Sequence, residues 1–189
     1  MNLFNLSLQL NGFPIKKASN LLESIQAKNE NDFEVYLEAK KKEIVNYHLK
    51  HNAFYKSFCN GINHSEWASI PVMTKKNLQQ PLENRLSEGF TQKSVYINKT
   101  SGSSGDPFIF AKDKFCHALT WANFIDRYSW FNLNPNTSKQ ARFYGIPLDT
   151  KGYYKERLKD KFSQRFRFSV FYLSDKQLNK NINKCKSTP

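Results

Sequence analysis

Residues 94–111 read Ser94-Val95-Tyr96-Ile97-Asn98-Lys99-Thr100-Ser101-Gly102-Ser103-Ser104-Gly105-Asp106-Pro107-Phe108-Ile109-Phe110-Ala111, and the order of residue types in this stretch decides the fold class. An alternating run over 94–98 and an aromatic, β-branched run over 107–111 predict two short strands. The glycines and hydroxyl residues between them predict a loop. Strand, loop and strand follow a region that reads quite differently.

Upstream, Leu21, Leu22 and Ile25, then Phe33, Tyr36, Leu37, Ile44, Val45 and Leu49, recur at three- and four-residue steps, which predicts amphipathic helices over 15–58. Asp32 is the expected cap of the second run. The mixed charges of 38–43 read as a solvated helix face. Apolar residues 67–72 suggest a buried connector, and 74–86 a further helix capped by Thr74. Downstream, 113–131 predicts a long aromatic helix with Phe115, Ala118, Leu119, Ala122, Phe124, Ile125, Tyr128 and Trp130 inward. Short strands at 141–144 and 166–172 and helices at 152–162 and 175–185 complete an alternation of helix and strand. The expectation is therefore an α/β chain, with residues 1–92 mainly helical and 93–189 a partial α/β region.

The chain of 189 residues carries 16 Phe, 9 Tyr and 3 Trp, enough large apolar side chains to rule out disorder throughout. No run approaches a membrane span, and residues 1–14 lack the basic start of a signal peptide. Cys59, Cys116 and Cys185 are odd in number, widely spaced and without a CxxC, which excludes a disulfide scaffold or zinc ribbon and points to the reducing cytoplasm. The net charge of +13 invites a polyanion, and residues 131–189 hold thirteen basic against four acidic residues. Yet 23 of the 29 basic residues are Lys, whereas base and phosphate recognition favours the Arg fork, which argues against nucleic acid. A Lys, Asn, Phe and Ile bias also fits AT-rich codons.

In the loop, two glycines let backbone N–H groups turn inward while four hydroxyls add donors, a composition suited to phosphate. It is not a Walker A loop, because Asp106-Pro107 stands where Lys would be required. Lying between two strands, it is not the dinucleotide fingerprint either. On residue chemistry alone, a plain hairpin turn with no ligand accounts for it equally well.

The order Thr-Ser-Gly-Ser-Ser-Gly-x-Pro resembles the phosphate loop of adenylate-forming enzymes, the superfamily of acyl-CoA synthetases, peptide-synthetase adenylation domains and luciferases. Ile70-Pro71-Val72-Met73-Thr74-Lys75-Lys76-Asn77-Leu78 resembles the segment that precedes this loop in phenylacetate-CoA ligases, nearest in character to the branch associated with capsular polysaccharide biosynthesis. The resemblance implies part of the large sheet domain of such a ligase. Thr100, Ser101, Gly102, Ser103, Ser104 and Gly105 would then bind the phosphates of ATP, with Mg²⁺ sharing the charge and a small carboxylate as the activated substrate. Phe108 stands where many members carry Lys, as an apolar residue does in the capsule-type branch. The adenine motif, the ribose-binding Asp, the hinge and the catalytic Lys of the longer members have no counterpart here. The implied chain is an N-terminal fragment, inactive alone, whose open sheet edge invites self-association. A basic polyanion-binding module and a non-catalytic interaction domain are the competing readings.

Other polar residues point to less. His48, His51, His64 and His117 show no metal-ligand spacing, so surface or packing roles are expected and no metal site. Cys116, within Phe115-Cys116-His117-Ala118, reads as core. It makes no catalytic pair with His117, because adjacent helical side chains diverge.

Overall fold

The computed structural model describes residues 3–63, 66–100, 107–144, 160, 164–170 and 173–187. Helices α1 (Leu3–Leu10), α2 (Ile15–Gln26), α3 (Glu30–His51), α4 (Ala53–Phe58), α5 (Lys114–Ser129) and α6 (Asp175–Lys186) accompany strands β1 (Tyr96–Lys99), β2 (Ile109–Lys112), β3 (Gln140–Tyr144) and β4 (Arg165–Ser169). The chain is thus a mixed α/β protein, and its strands among the described residues form two two-stranded sheets. Two compact units contain these elements, Gly12–Ala122 on the one hand and Met1–Asn11 with Asn123–Pro189 on the other.

Within Gly12–Ala122, α3 begins where the Asn29 side chain accepts the Asp32 amide at 2.9 Å. Asn29, and not Asp32, is therefore the cap; Asp32 sits in the first turn, where its charge suits the helix dipole. The mixed charges form the surface pairs Lys40–Glu43 at 2.5 Å and Lys41–Glu38 at 2.6 Å. Asn52 ends α3 and starts α4: its amide donates to His48 O at 2.9 Å and its Oδ1 accepts the Tyr55 amide at 2.9 Å. Strands β1 and β2 pair antiparallel, Tyr96 opposite Lys112 and Lys99 opposite Ile109. Ile15, Ala18, Val45, Cys59, Leu82, Ala118 and Ala122 are buried.

The helix expected over 74–86 does not form. Thr74 instead donates its amide to Asn77 Oδ1 at 2.9 Å and its hydroxyl to the same oxygen at 2.5 Å, closing a side-chain turn that competes with helix. Pro81 then removes a donor and disfavours helical backbone at Gln80. What forms is a turn with i→i+3 backbone bonds from Asn77, Leu78 and Gln79 to Thr74 O, Lys75 O and Lys76 O, and then the 3-10 turn Leu82–Arg85. The connector is not buried either, since Trp67 and Val72 are exposed.

Helix α5 starts one residue after Asp113, whose Oδ1 accepts the Cys116 amide at 2.6 Å. Its first turns bury His117, Ala118 and Ala122, while Cys116 is exposed, not core. Phe124 and Trp130 are exposed as well, contrary to the inward placement expected of them. The buried positions of this helix are two alanines and a histidine.

In the other unit, Asn136 Oδ1 accepts the amides of Phe4 and Asn5 at 3.1 and 3.3 Å and so caps α1. Strands β3 and β4 are parallel, Phe143 opposite Phe168, with their rings stacked 5.1 Å apart. Lys184 of α6 covers the Phe168 ring at 5.3 Å. The buried carboxylate of Asp160 pairs with Arg167 at 2.8 Å. Ser174 caps α6 through the Gln177 amide at 3.3 Å. The helix expected over 152–162 and the end of the 166–172 strand lie outside the described residues, apart from Asp160 and residues 166–170.

Candidate functional site

Of the residues expected to bind phosphate, Thr100 stands at the base of the β1–β2 pair. Thr100 follows β1 directly; its amide donates to Phe108 O at 2.9 Å, and its Oγ1 accepts the Phe108 amide at 2.9 Å. A hydroxyl has two lone pairs and one hydrogen, so Thr100 keeps an O–H able to donate to an anion. Ser101, Gly102, Ser103, Ser104 and Gly105 lie outside the described residues. Of the six residues expected to bind phosphate, Thr100 alone is therefore placed.

Beside this base stands Arg85. Its Nη2 donates to Ile109 O at 2.8 Å, its Nε donates to Gln80 O at 3.2 Å, and its guanidinium lies 5.8 Å from the Phe108 ring centre. The side chain clamps the 3-10 turn onto β2 and fixes the orientation of a planar cation. A recess of about 420 Å³, lined by Leu78, Gln80, Arg85, Pro107 and Phe108 among others, opens at the point where the chain returns from the loop.

A larger cavity of about 470 Å³ lies among α3, α4, the 3-10 turn, the strand pair and the start of α5. One wall is a polar network. Buried Asn52 donates through Nδ2 to Arg85 O at 2.9 Å and to Ser87 Oγ at 3.2 Å, and Ser87 Oγ lies 3.4 Å from His48 Nδ1. Burial holds His48 below the ordinary histidine range, so the imidazole is neutral at neutral pH. Across the cavity, burial first and then the Asp113 carboxylate push the Cys116 thiol up, which keeps it protonated and a poor nucleophile.

His117 is enclosed by aromatic rings. Tyr96 stacks on it at 3.6 Å between ring centres, Phe13 lies at 4.6 Å, and Trp121 Nε1 donates to its Nε2 at 3.1 Å. Burial, and secondarily Lys112, lowers its pKa. Among the described residues no three His, Cys, Asp or Glu side chains gather to hold a metal. No helix among the described residues is long and apolar enough to cross a membrane.

Arg85, Asn52, Ser87 and His48 were not singled out together from sequence. They stand up to 39 residues apart, and tertiary structure alone assembles them. One signal was readable: Arg85 is the only arginine in the first 126 residues. The chain matches no family model, no curated protein and no solved structure.

Proposed function

We propose that this chain carries the nucleotide-phosphate loop of an adenylate-forming ligase of the phenylacetate-CoA ligase type. The observation that supports the reading is the closure of the β1–β2 pair at Thr100 and Phe108, which holds both ends of the Ser101–Asp106 sequence at one place between two strands. In the proposed reaction a carboxylate oxygen attacks the α-phosphorus of ATP, an acyl-adenylate forms, and pyrophosphate leaves with the electron pair of the broken P–O bond. The loop's contribution is to hold the β- and γ-phosphates in line for departure, an electrostatic and positional role. Thr100 would donate its free O–H, joined by Ser101, Ser103 and Ser104, while Gly102 and Gly105 permit the turn. Mg²⁺ supplies neutralising charge on the phosphate oxygens when bound.

The test is calorimetric titration of the 189-residue chain with Mg²⁺-pyrophosphate, repeated in a salt series. Replacing Ser101, Ser103 and Ser104 together by Ala is expected to weaken binding at least about tenfold, since each hydrogen bond to a charged group is worth roughly 1.5–3 kcal/mol. Binding that the triple substitution leaves unchanged would show only non-specific attraction to a chain of net charge +13, and would overturn the reading.

A further inference from the structure

Helix α5 ends in a closure that fixes what lies outside it. The Leu133 amide donates to Tyr128 O at 2.9 Å and the Asn132 amide to Ser129 O at 3.0 Å, with Asn132 at φ 54°. This pair of bonds around a left-handed residue is the Schellman stop, and asparagine is one of the few side chains that takes the left-handed position readily. Three residues on, Asn136 holds the Phe4 and Asn5 amides, so at most about 11 Å of chain separates the stop from the start of α1. The tip Trp130-Phe131-Asn132-Leu133 is therefore a built turn. Its apolar side chains face solvent: Trp130 is 68% exposed, Phe131 74% and Leu133 47%.

Single exposed apolar residues are ordinary, but three within four positions, two of them aromatic, form a patch of the kind that marks an interaction site. Charge indicates what it meets. Among the described residues of the unit Met1–Asn11 with Asn123–Pro189, the exposed charged side chains are Arg127, Lys139, Lys176, Lys180, Lys186 and Asp175, five cations against one carboxylate. Asp126 is half-buried, and Asp160 is buried against Arg167. Arg127 stands one helical turn before the tip. Helix α1, tied to the tip through Asn136, has no charged residue and exposes Leu3, Leu6 and Leu10 at helical spacing. Tryptophan with neighbouring apolar side chains settles where water meets hydrocarbon, and cations nearby favour an anionic headgroup over a neutral one. Nucleic acid would use the cations and the rings but would leave Leu133 and the α1 leucines uncovered.

We propose that the Trp130-Phe131-Asn132-Leu133 tip inserts into the interface of an anionic lipid bilayer, with the exposed cations of its unit adding attraction to the lipid headgroups. The contact is interfacial: side chains enter, and the backbone stays outside the hydrocarbon, where its polar groups keep water. The inference rests on this unit alone and stands whether or not the loop binds pyrophosphate.

The experiment is flotation of the 189-residue chain with vesicles of phosphatidylcholine, either pure or containing about 30% phosphatidylserine, at low ionic strength, where like charge keeps the chain dispersed. Binding to the anionic vesicles is expected to be at least about tenfold tighter than to the neutral ones. Replacing Trp130 and Phe131 together by Ser, both at exposed positions and so of small effect on the fold, should weaken it at least about tenfold. Anionic vesicles with brominated acyl chains should quench the tryptophan fluorescence of the bound chain; Trp130→Phe, which keeps an aromatic anchor, should bind within about threefold and lose at least about half of that quenching. If the double substitution fails to fold, the quenching comparison still decides. Absence of flotation with anionic vesicles, binding unchanged by the double substitution, which means attraction of charge alone, or quenching unchanged in Trp130→Phe overturns the proposal. A chain that does not float but forms a dimer dissolved by the double substitution overturns it as well, because a second copy then covers the tip.

Discussion

Replacing Asn52 by Ala should destabilise the Gly12–Ala122 unit far more than an average substitution, because one side chain there performs two separate tasks. Its Oδ1 caps α4 through the Tyr55 amide, and loss of such a cap costs about 1 kcal/mol. Its Nδ2 satisfies Arg85 O and Ser87 Oγ across 33 and 35 residues, and each bond removed from a buried site costs about another 1 kcal/mol. The expected total is about 2–4 kcal/mol, a large share of the ~5–15 kcal/mol by which domains are stable. Backbone strain does not confuse the comparison, since Asn52 has φ −127° and ψ 101°, which Ala adopts freely. Urea unfolding followed by circular dichroism should show a midpoint lowered by roughly 1–2 M at the usual slope for a small domain. Asn52→Ser keeps a capping oxygen but cannot reach Arg85 and Ser87, so it should recover about 1 kcal/mol. A loss below about 0.5 kcal/mol for Asn52→Ala, or equal losses for Ala and Ser, would refute the two-task account.

Three further outcomes are expected. His48 and His117 are both held below 6.5 by burial, so as pH falls through that value the unfolded chain takes up protons before the native one does; stability should drop, by at most ~1.4 kcal/mol per pH unit per histidine. Urea midpoints at successive pH values should show a shallower slope for His117→Phe, which retains ring stacking, and an unchanged slope would discount His117. Asp160→Ala removes the buried carboxylate that pairs with Arg167 at 2.8 Å and should lower the thermal midpoint, whereas a change under ~1 kcal/mol would mean that the pair contributes little. With Trp130, Phe131 and Phe143 exposed and a net charge of +13, self-association should increase as salt screens the repulsion, and light scattering that stays at the monomer value across the series would exclude it.

Periodicity revealed those elements whose local and tertiary demands agree. Helices α2, α3 and α4 lie within the predicted 15–58 span, and β1 and β2 fall within two residues of the runs that flank the loop. Over 74–86 the apolar spacing of Leu78, Leu82 and Leu86 imitates a helix, but Pro81 and the Thr74–Asn77 turn both work against it, and two local effects outweigh one pattern. The α5 error is of another kind. Aromatic side chains were assigned to the interior by hydrophobicity, yet the buried positions of α5 are Ala118, Ala122 and His117, the last enclosed by the rings of Phe13 and Tyr96, while Phe124 is exposed.

The site divides along the same line. A phosphate loop is contiguous in sequence, so its hydroxyls and glycines were visible as one string, and Thr100 does close the strand pair on which that reading depends. A cavity is contiguous only in space. Its helix side comes from residues 44–55, its turn side from 73–90 and its strand side from 95–116, and nothing in any one segment announces the other two. What joins them is a pair of side chains acting on backbone: Asn52 holds Arg85 O, and Arg85 in turn holds Ile109 O. This chain of contacts runs from the α3–α4 junction to β2. A residue that positions backbone must be polar and nearly buried, which is costly unless every bond is made. Substituting Asn52 should therefore loosen Arg85 and its hold on Ile109 O as well as destabilise the fold.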